Sequence, residues 1–236
     1  MIQLPWLGPN PSVFPALDQA LNEPDGLLAA GGDLSPTRLV NAYAQGIFPW
    51  YEEDQPILWW SPNPRTVVTP SAIHLSRSLR KTLRKQLFSV TADRAFAEVI
   101  DACAEPRNGQ PGTWITGEMR EAYIELHRLG VAHSIEVYLE EQLVGGLYGV
   151  ALGKVFFGES MFSRVSDASK VAFATLAYNL NDWGFELIDC QVHSSHLASL
   201  GADEIPREAF AEQLNRHIGA TSASHWRNQT PLLIPQ

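Results

Sequence analysis

Asp189, Cys190 and Gln191 follow one another at the end of an apolar segment that predicts a β-strand. Strand alternation would place Asp189 and Gln191 on one face and Cys190 on the other. A carboxyl group beside a carboxamide can orient an attacking amine and receive its proton. The pair also fits an exposed polar strand face, so the motif alone leaves both interpretations open. Cys190 is expected to be a small buried side chain rather than a nucleophile, because no histidine is assured as its partner.

Glu159 is a carboxylate inside the apolar run from Phe156 to Phe162. Charged side chains are seldom buried without a partner, so this placement is unusual. Glu159 either faces solvent or meets a cation, and we favour the cation. An apolar pocket is expected around it, and its candidate lining residues are Leu147, Phe156, Met161 and Ile188.

A cluster of cations stands out against the net charge of −9. No acidic residue occurs between Asp54 and Asp93, so that window carries +6 and the remainder −15. Five of the six cations fall within nine residues, at Arg77, Arg80, Lys81, Arg84 and Lys85. This pattern also fits a solvated helix face, but the missing carboxylates favour binding to a phosphate backbone, without base specificity.

Other classes of site have weak support. The glycine pairs at Gly31 and Gly145 do not form a GxGxxG motif after a strand, so dinucleotide binding is not indicated. His193 and His196 lack a convincing third ligand, and no metal site is expected. The Pro-rich start has no basic region typical of a secretory signal, and no run of about 20 apolar residues would span a bilayer. With only two distant cysteines, the sequence indicates a reduced, cytoplasmic setting.

Helices and strands that could position these residues follow from the pattern. Ser35 and Pro36 predict a helix start, and Gly46 its end. Helical periodicity from His74 puts Leu75, Leu79 and Leu83 on one side and the five cations on the other. Further helices are predicted over 95–104, 118–129, 169–183 and 208–218.

Three strands at hairpin spacing, over 133–139, 143–152 and 155–162, predict an antiparallel meander, and 185–192 predicts another strand. Helices before and after a central sheet indicate the α+β class. The breaker cluster at 61–64 suggests a small N-terminal α/β domain over 1–62 and a catalytic domain over 63–236.

Nine segments in collinear order resemble leucyl/phenylalanyl-tRNA–protein transferases. They are Glu23 to Ser35, Gly46 to Tyr51, Trp59 to Arg65, Ser76 to Lys81, Thr113 to Thr116, Ala132 to Glu136, Phe156 to Ser163, Asp167 to Lys170 and Ile188 to Ala202. Any one could be chance, whereas together they are specific and span nearly the whole chain.

The resemblance implies a C-terminal domain similar to GCN5-related N-acyltransferases. It also implies transfer of Leu or Phe, with Met as a further candidate, from aminoacyl-tRNA to proteins beginning with Arg or Lys, which marks them for N-end rule degradation. By motif, Trp50, Trp114 and Tyr123 would hold the 3′-terminal adenosine or shape the site, and Leu147 and Phe173 stand at variable pocket positions. Glu159 would meet the acceptor cation, Asp189 and Gln191 would sit at the reacting centre, and the basic helix would contact the acceptor stem.

No cofactor is expected, because an aminoacyl ester is already activated. Two rival functions are less well supported by the sequence. An acyl-CoA-dependent N-acetyltransferase would need a Gln/Arg-x-x-Gly-x-Gly/Ala loop before a helix, and no such sequence appears. A non-catalytic RNA-binding protein would use the basic helix but leave Glu159, Asp189 and Gln191 unexplained.

Overall fold

A computed structural model describes residues 4–106, 114–220, 226 and 232–235. Thr113, which begins one of the family-like segments, lies outside this part of the chain. The N-terminal region forms a four-stranded sheet with one helix. Its elements are β1 (Trp6–Leu7), β2 (Leu27–Gly31), α1 (Pro36–Ala44), β3 (Phe48–Pro49) and β4 (Leu58–Trp60). The strand order is β1-β2-β4-β3, and only β1 and β2 run parallel.

The predicted ends of α1 are confirmed. Ser35 is the N-cap, and its hydroxyl oxygen accepts a hydrogen bond from the Arg38 backbone N–H at 3.4 Å. Pro36 occupies the first helical position, where its missing N–H costs nothing. Gly46 follows the helix with φ of +78°, a conformation that side chains with a Cβ rarely adopt.

The rest of the chain forms a seven-stranded sheet flanked by helices, which confirms the α+β class. Its elements are β5 (Arg65–Val68), α2 (Arg77–Arg84), β6 (Ser89–Ala92), α3 (Phe96–Ala104), α4 (Gly117–Arg128), β7 (Ala132–Leu139), β8 (Gln142–Leu152), β9 (Val155–Ser163), α5 (Ala168–Asp182), β10 (Leu187–Gln191), α6 (Ser195–Ala198), β11 (Asp203–Ile205) and α7 (Arg207–His217). The strand order is β11-β5-β10-β9-β8-β7-β6.

The meander β7-β8-β9 is antiparallel, as the hairpin spacing predicts, whereas β9 and β10 are parallel because α5 crosses between them. Strands β5 and β11 were not predicted from the sequence. Helix α2 begins at Arg77 rather than His74, because Ser76 is its N-cap and accepts from the Leu79 N–H at 3.2 Å.

The two faces of the large sheet are covered differently. Helices α3 and α4 and the N-terminal sheet share one buried core, in which Trp59 and Tyr43 pack with Phe157 and Leu187 of the large sheet. Helix α5 covers the other face, with α2 packed beside it. Among the described helices, none is long and apolar enough to cross a membrane.

Candidate active site

A bulge in β9 changes the direction of the chain at Glu159. Tyr148 and Gly149, which are consecutive in β8, pair with Ser160 and Gly158 of β9, so Glu159 is an extra residue without a partner in β8. An extra residue bends the strand and redirects its own side chain. The bulge thus interrupts the apolar alternation of β9 at Glu159, the one carboxylate among its Phe and Met side chains.

A second bulge lies in β10, beside the first. Asp189 pairs with Val67 of β5 and Gln191 with Thr66, so Cys190 is the extra residue. Gln191 has φ of +57°, which is uncommon outside glycine. An extra residue interrupts the strict alternation from which a shared face of Asp189 and Gln191 was predicted, so that shared face stays a prediction.

A cavity opens where the pairing of strands β9 and β10 ends. Their parallel register ends at the pair Asp189 and Phe157. The cavity beyond has a volume of about 700 Å³, and Glu159, Cys190 and Gln191 lie on its wall. Its apolar lining includes Leu147, Phe156, Met161, Phe173 and Leu176. One cavity thus offers an apolar compartment and a carboxylate–carboxamide pair.

Glu159 is held by hydrogen bonds from two elements. The Tyr123 hydroxyl of α4 donates to Glu159 Oε2 at 2.9 Å, and Tyr43 of α1 forms a short hydrogen bond with that hydroxyl. Gln191 Nε2 donates to Glu159 Oε1 at 3.5 Å. Burial raises the pKa of Glu159 to about 7, although the hydrogen bonds from Tyr43 and Tyr123 act to lower it. The carboxyl group therefore changes charge near neutral pH.

Asp189 points away from the cavity and forms a buried ion pair with Arg65. The Arg65 Nε and Nη2 atoms donate to the two carboxylate oxygens at 2.8 and 2.6 Å, and both side chains are fully buried. Arg65 Nη1 also donates to the Gly46 carbonyl at 3.0 Å. Asp189 Oδ1 accepts a further hydrogen bond from the Gln191 backbone N–H at 3.0 Å. Its carboxylate thus fixes the backbone of Gln191 rather than facing a bound molecule.

The other residues singled out from the sequence differ in their position relative to the cavity. Trp114, Leu147, Phe156, Met161 and Phe173 line the cavity, and Tyr123 contacts its carboxylate. Ile188 is fully buried in the core that contains Phe156. Trp50 is 43% exposed and is absent from the described cavity lining, and its ring instead lies 5.6 Å from that of Trp60. Cys190 is buried, as expected, and burial raises the pKa of its thiol well above the usual range.

The five predicted RNA-contacting cations form an exposed surface. Arg77, Arg80, Lys81, Arg84 and Lys85 are all exposed along α2 and its C-cap, while Leu79 and Leu83 are buried beneath them. Across the described ranges, none of the five forms a salt bridge. The Thr82 hydroxyl donates to Asp167, the N-cap of α5, at 2.9 Å. Because Ser169 and Phe173 of α5 line the cavity, this bond connects the basic surface to the cavity wall.

Arg65 and Tyr43 are site residues that sequence reasoning did not identify. Arg65 closes the segment SerProAsnProArg, and its position directly after a breaker cluster was its only signal. Tyr43 is part of an ordinary amphipathic helix, and no sequence feature distinguishes it from a core residue. Across the described ranges, no cluster of three His, Cys, Asp or Glu side chains is placed to hold a metal ion.

Comparison with known proteins identifies the family. The family described as "Leucyl/phenylalanyl-tRNA protein transferase" matches residues 67–215, and its N-terminal domain matches residues 32–63. A leucyl/phenylalanyl-tRNA–protein transferase of Stutzerimonas stutzeri is 60% identical and covers 95% of this chain and 99% of its own length. The enzyme of that name from Aromatoleum aromaticum is 58% identical and covers 97% of this chain and 92% of its own.

Solved structures align less closely. A GCN5-related N-acetyltransferase from Kribbella flavida is 9% identical, covers 72% of this chain and 60% of its own, and has a TM-score of 0.34. The family assignment therefore rests on the sequence relatives. On that basis the chain belongs to the leucyl/phenylalanyl-tRNA–protein transferase family.

Proposed function

We propose that this chain transfers Leu or Phe, with Met as a further donor, from aminoacyl-tRNA to the N-terminal α-amine of proteins that begin with Arg or Lys. The product would be marked for degradation by the N-end rule. One observation carries the proposal: a chain of this family places Glu159 and Gln191 in the same cavity as an apolar compartment. The absence of a membrane-spanning helix among the described residues is compatible with a cytoplasmic setting.

The apolar part of the cavity suits the side chain of the transferred amino acid. Leu147, Phe156, Met161 and Phe173 offer no charged group that would select a polar side chain. Such a pocket separates ligands by about 1–3 kcal/mol per methylene, so it would select apolar side chains as a class while Leu, Phe and Met stay hard to separate. Trp114, which lines the same cavity, would contact the terminal adenosine that carries the ester.

Glu159 supplies the selectivity for the acceptor. A carboxylate in a partly buried cavity attracts a guanidinium or ammonium group more strongly than one in water does. Tyr123 and Gln191 fix its orientation, so it meets an N-terminal Arg or Lys side chain without rearranging. A neutral or acidic first residue would leave this carboxylate without a cation.

The chemical step needs orientation more than a strong base. The α-amine has a pKa of about 7.7–8, so a substantial minority is neutral at cytosolic pH. Gln191 directs Nε2 to Glu159, and its Oε1 would accept a hydrogen bond from the amine and aim the nitrogen at the ester carbonyl. A C–N bond forms, the ester C–O bond breaks, and the ribose oxygen leaves with the proton that the amine loses. Holding two substrates in this way supplies about 7–11 kcal/mol in favourable cases.

Asp189 is assigned a positioning role instead of direct contact with the amine. Its carboxylate is shared between Arg65 and the Gln191 backbone, so it holds the bulge that presents Gln191.

The proposal also divides the chain into a small N-terminal domain over 1–62 and a catalytic domain over 63–236. The basic surface on α2 in the catalytic domain would contact the phosphates of the acceptor stem.

The test is direct transfer. The protein is incubated with radiolabelled Leu-tRNA or Phe-tRNA and with peptides that differ only in beginning with Arg, Lys, Ala or Asp. Label should appear in the Arg and Lys peptides from both donors, and Gln191→Leu should abolish most of it. Equal labelling of all four peptides, or none from either donor, would refute the proposal. Acetyl-CoA in place of tRNA serves as the control for the rival acetyltransferase chemistry.

A further inference from the structure

Trp226 packs behind Phe156, a residue that lines the apolar compartment. It lies beyond residues 67–215, the part of the chain that the family match covers, and is only 6% exposed. Its indole stacks against Phe156, with ring centroids 5.8 Å apart and planes inclined by 29°. Since Phe156 lines the cavity, the tryptophan touches the reverse side of a residue that the transferred side chain would meet.

Trp226 is itself backed by rigid groups. His133 stacks on the indole at 4.2 Å between ring centroids, with planes 9° apart, and Trp183 meets it edge-on at 4.9 Å. His133 Nδ1 is hydrogen-bonded to Asp93 Oδ2 at 2.7 Å, and Asp93 also accepts from the Ser134 backbone N–H. A column of groups thus runs from Asp93 through His133 and Trp226 to Phe156. The column also gives a role to the family-like segment Ala132 to Glu136, which the transfer chemistry does not use.

Phe156 has little freedom apart from this column. Gly149 in β8 lies under its ring, where an added Cβ would come within 2.6 Å of a ring carbon. The ring is therefore confined by backbone on one side and by Trp226 on another. Close-packed interiors transmit a change of volume to neighbouring side chains, so the indole determines how far Phe156 protrudes into the cavity.

We propose that Trp226 is a specificity-determining residue that acts through Phe156 and limits the size of the transferred side chain. The inference rests on the proposed function, because it assigns the transferred side chain to the compartment that Phe156 lines. With a smaller residue at position 226, the Phe156 ring retreats into the freed space and the compartment deepens. The larger Phe side chain gains from this change, whereas Leu gains little.

The experiment compares kcat/KM for Phe-tRNA with that for Leu-tRNA, using one Arg-peptide acceptor. Trp226→Leu should raise the Phe-to-Leu ratio by about 3- to 10-fold, the range expected for a small change in an apolar pocket. Trp59→Leu is the matched control, because Trp59 is fully buried in the N-terminal sheet and is absent from the described cavity lining. It removes the same volume and should leave the ratio unchanged.

A double variant tests whether the effect passes through Phe156. In a Phe156→Leu background, Trp226→Leu should change the ratio by less than about twofold, because the responding ring is gone. An unchanged ratio in Trp226→Leu, or an equal change in Trp59→Leu, would overturn the inference. If Trp226→Leu does not fold, Trp226→Phe should shift the ratio by about twofold in the same direction, and no shift would count against the inference.

Failure of the inference can be told from failure of the proposed function by a binding measurement. Non-hydrolysable 3′-aminoacylamido-adenosines carrying Phe or Leu bind without any transfer. Trp226→Leu should favour the Phe compound over the Leu compound by the same factor. Absent transfer in the wild-type protein together with a shifted binding preference would refute the function alone. Intact transfer with no shift in either measurement would refute the role of Trp226 alone.

Discussion

The Gln191 carboxamide nitrogen lies 3.5 Å from a carboxylate oxygen of Glu159, although the two residues belong to different strands. The parallel register that pairs Leu187 with Val155 and Asp189 with Phe157 would bring Gln191 opposite Glu159 if it were continued. Each strand also carries an extra residue at this level of the sheet, Glu159 in β9 and Cys190 in β10. The two strands thus bring the group proposed to bind the acceptor beside the group proposed to orient the amine.

Replacing Glu159 by Gln should impair acceptor recognition selectively. The variant keeps the shape and the hydrogen bond from Tyr123 but loses the negative charge. A hydrogen bond to a charged group contributes about 1.5–3 kcal/mol, so KM for an Arg peptide should rise by about 10- to 150-fold. The dissociation constant for aminoacyl-tRNA, measured by filter binding, should change by less than about twofold. A comparable loss of tRNA affinity would contradict the assignment of Glu159 to the acceptor.

Acceptor binding should also depend on pH through Glu159. Its pKa is raised to about 7 by burial, so the carboxyl group is largely neutral at pH 6 and charged at pH 8. Only the charged carboxylate attracts a cation, so the apparent affinity for the peptide is proportional to the fraction of protein in which Glu159 is charged. An α-N-acetylated Arg peptide, which removes the titration of the amine, should therefore bind about 10-fold more weakly at pH 6 than at pH 8. Titration by fluorescence anisotropy at both pH values measures this, and Glu159→Gln should give a flat profile.

Asp189→Asn should destabilise the protein as well as lower its turnover. The change leaves the Arg65 guanidinium buried without its counter-charge, and loss of one partner of a buried pair costs about 3–5 kcal/mol. Asp101→Asn is the matched control, because the Asp101 pair with Arg120 is partly exposed and such pairs contribute about 0–1 kcal/mol. Urea denaturation should separate the two variants clearly. Similar free energies of unfolding would mean that the buried pair is not structural.

The basic surface of α2 predicts salt-dependent binding of tRNA. Each phosphate contact contributes about 0.7–0.9 to the slope of log affinity against log salt concentration. The variant Arg80→Ala/Arg84→Ala should therefore bind more weakly and reduce the slope by about 1.4–1.8. Arg216→Ala, which removes an exposed cation on α7, should leave the slope unchanged. Salt-independent binding in the wild-type protein would contradict the assignment of α2.

Local patterns predicted most of the secondary structure. The cap at Ser35, the stripe of Leu79 and Leu83 under the cations, and the meander all depend on neighbours a few residues apart. Strand β5 was missed because its sheet partners are far away, at β10 and β11. A strand that follows a Pro-rich breaker cluster has no local signal that would distinguish it from a loop.

The sequence indicated which residues come together in the cavity better than it indicated how they are arranged. Glu159 and Gln191 face the same cavity, but Asp189 faces Arg65, a residue 124 positions away whose partner no local pattern could reveal. Trp50 is half exposed with its ring beside that of Trp60, so its role at the terminal adenosine stays a prediction. An extra residue shifts the alternation along a strand by one position, but without the pairing partners the sequence does not show at which residue the shift occurs.

The hydrogen bond from Arg65 to the Gly46 carbonyl makes the N-terminal sheet part of the catalytic scaffold. The guanidinium also contacts the rings of Phe48 and Phe210, so residues from both the N-terminal and the C-terminal part of the chain surround it. A gene fragment that begins after β4 would encode every described residue that lines the cavity. It would lack Gly46 and Phe48, which contact Arg65, the ion-pair partner of Asp189. Division of labour between the two regions thus does not imply that they can be separated.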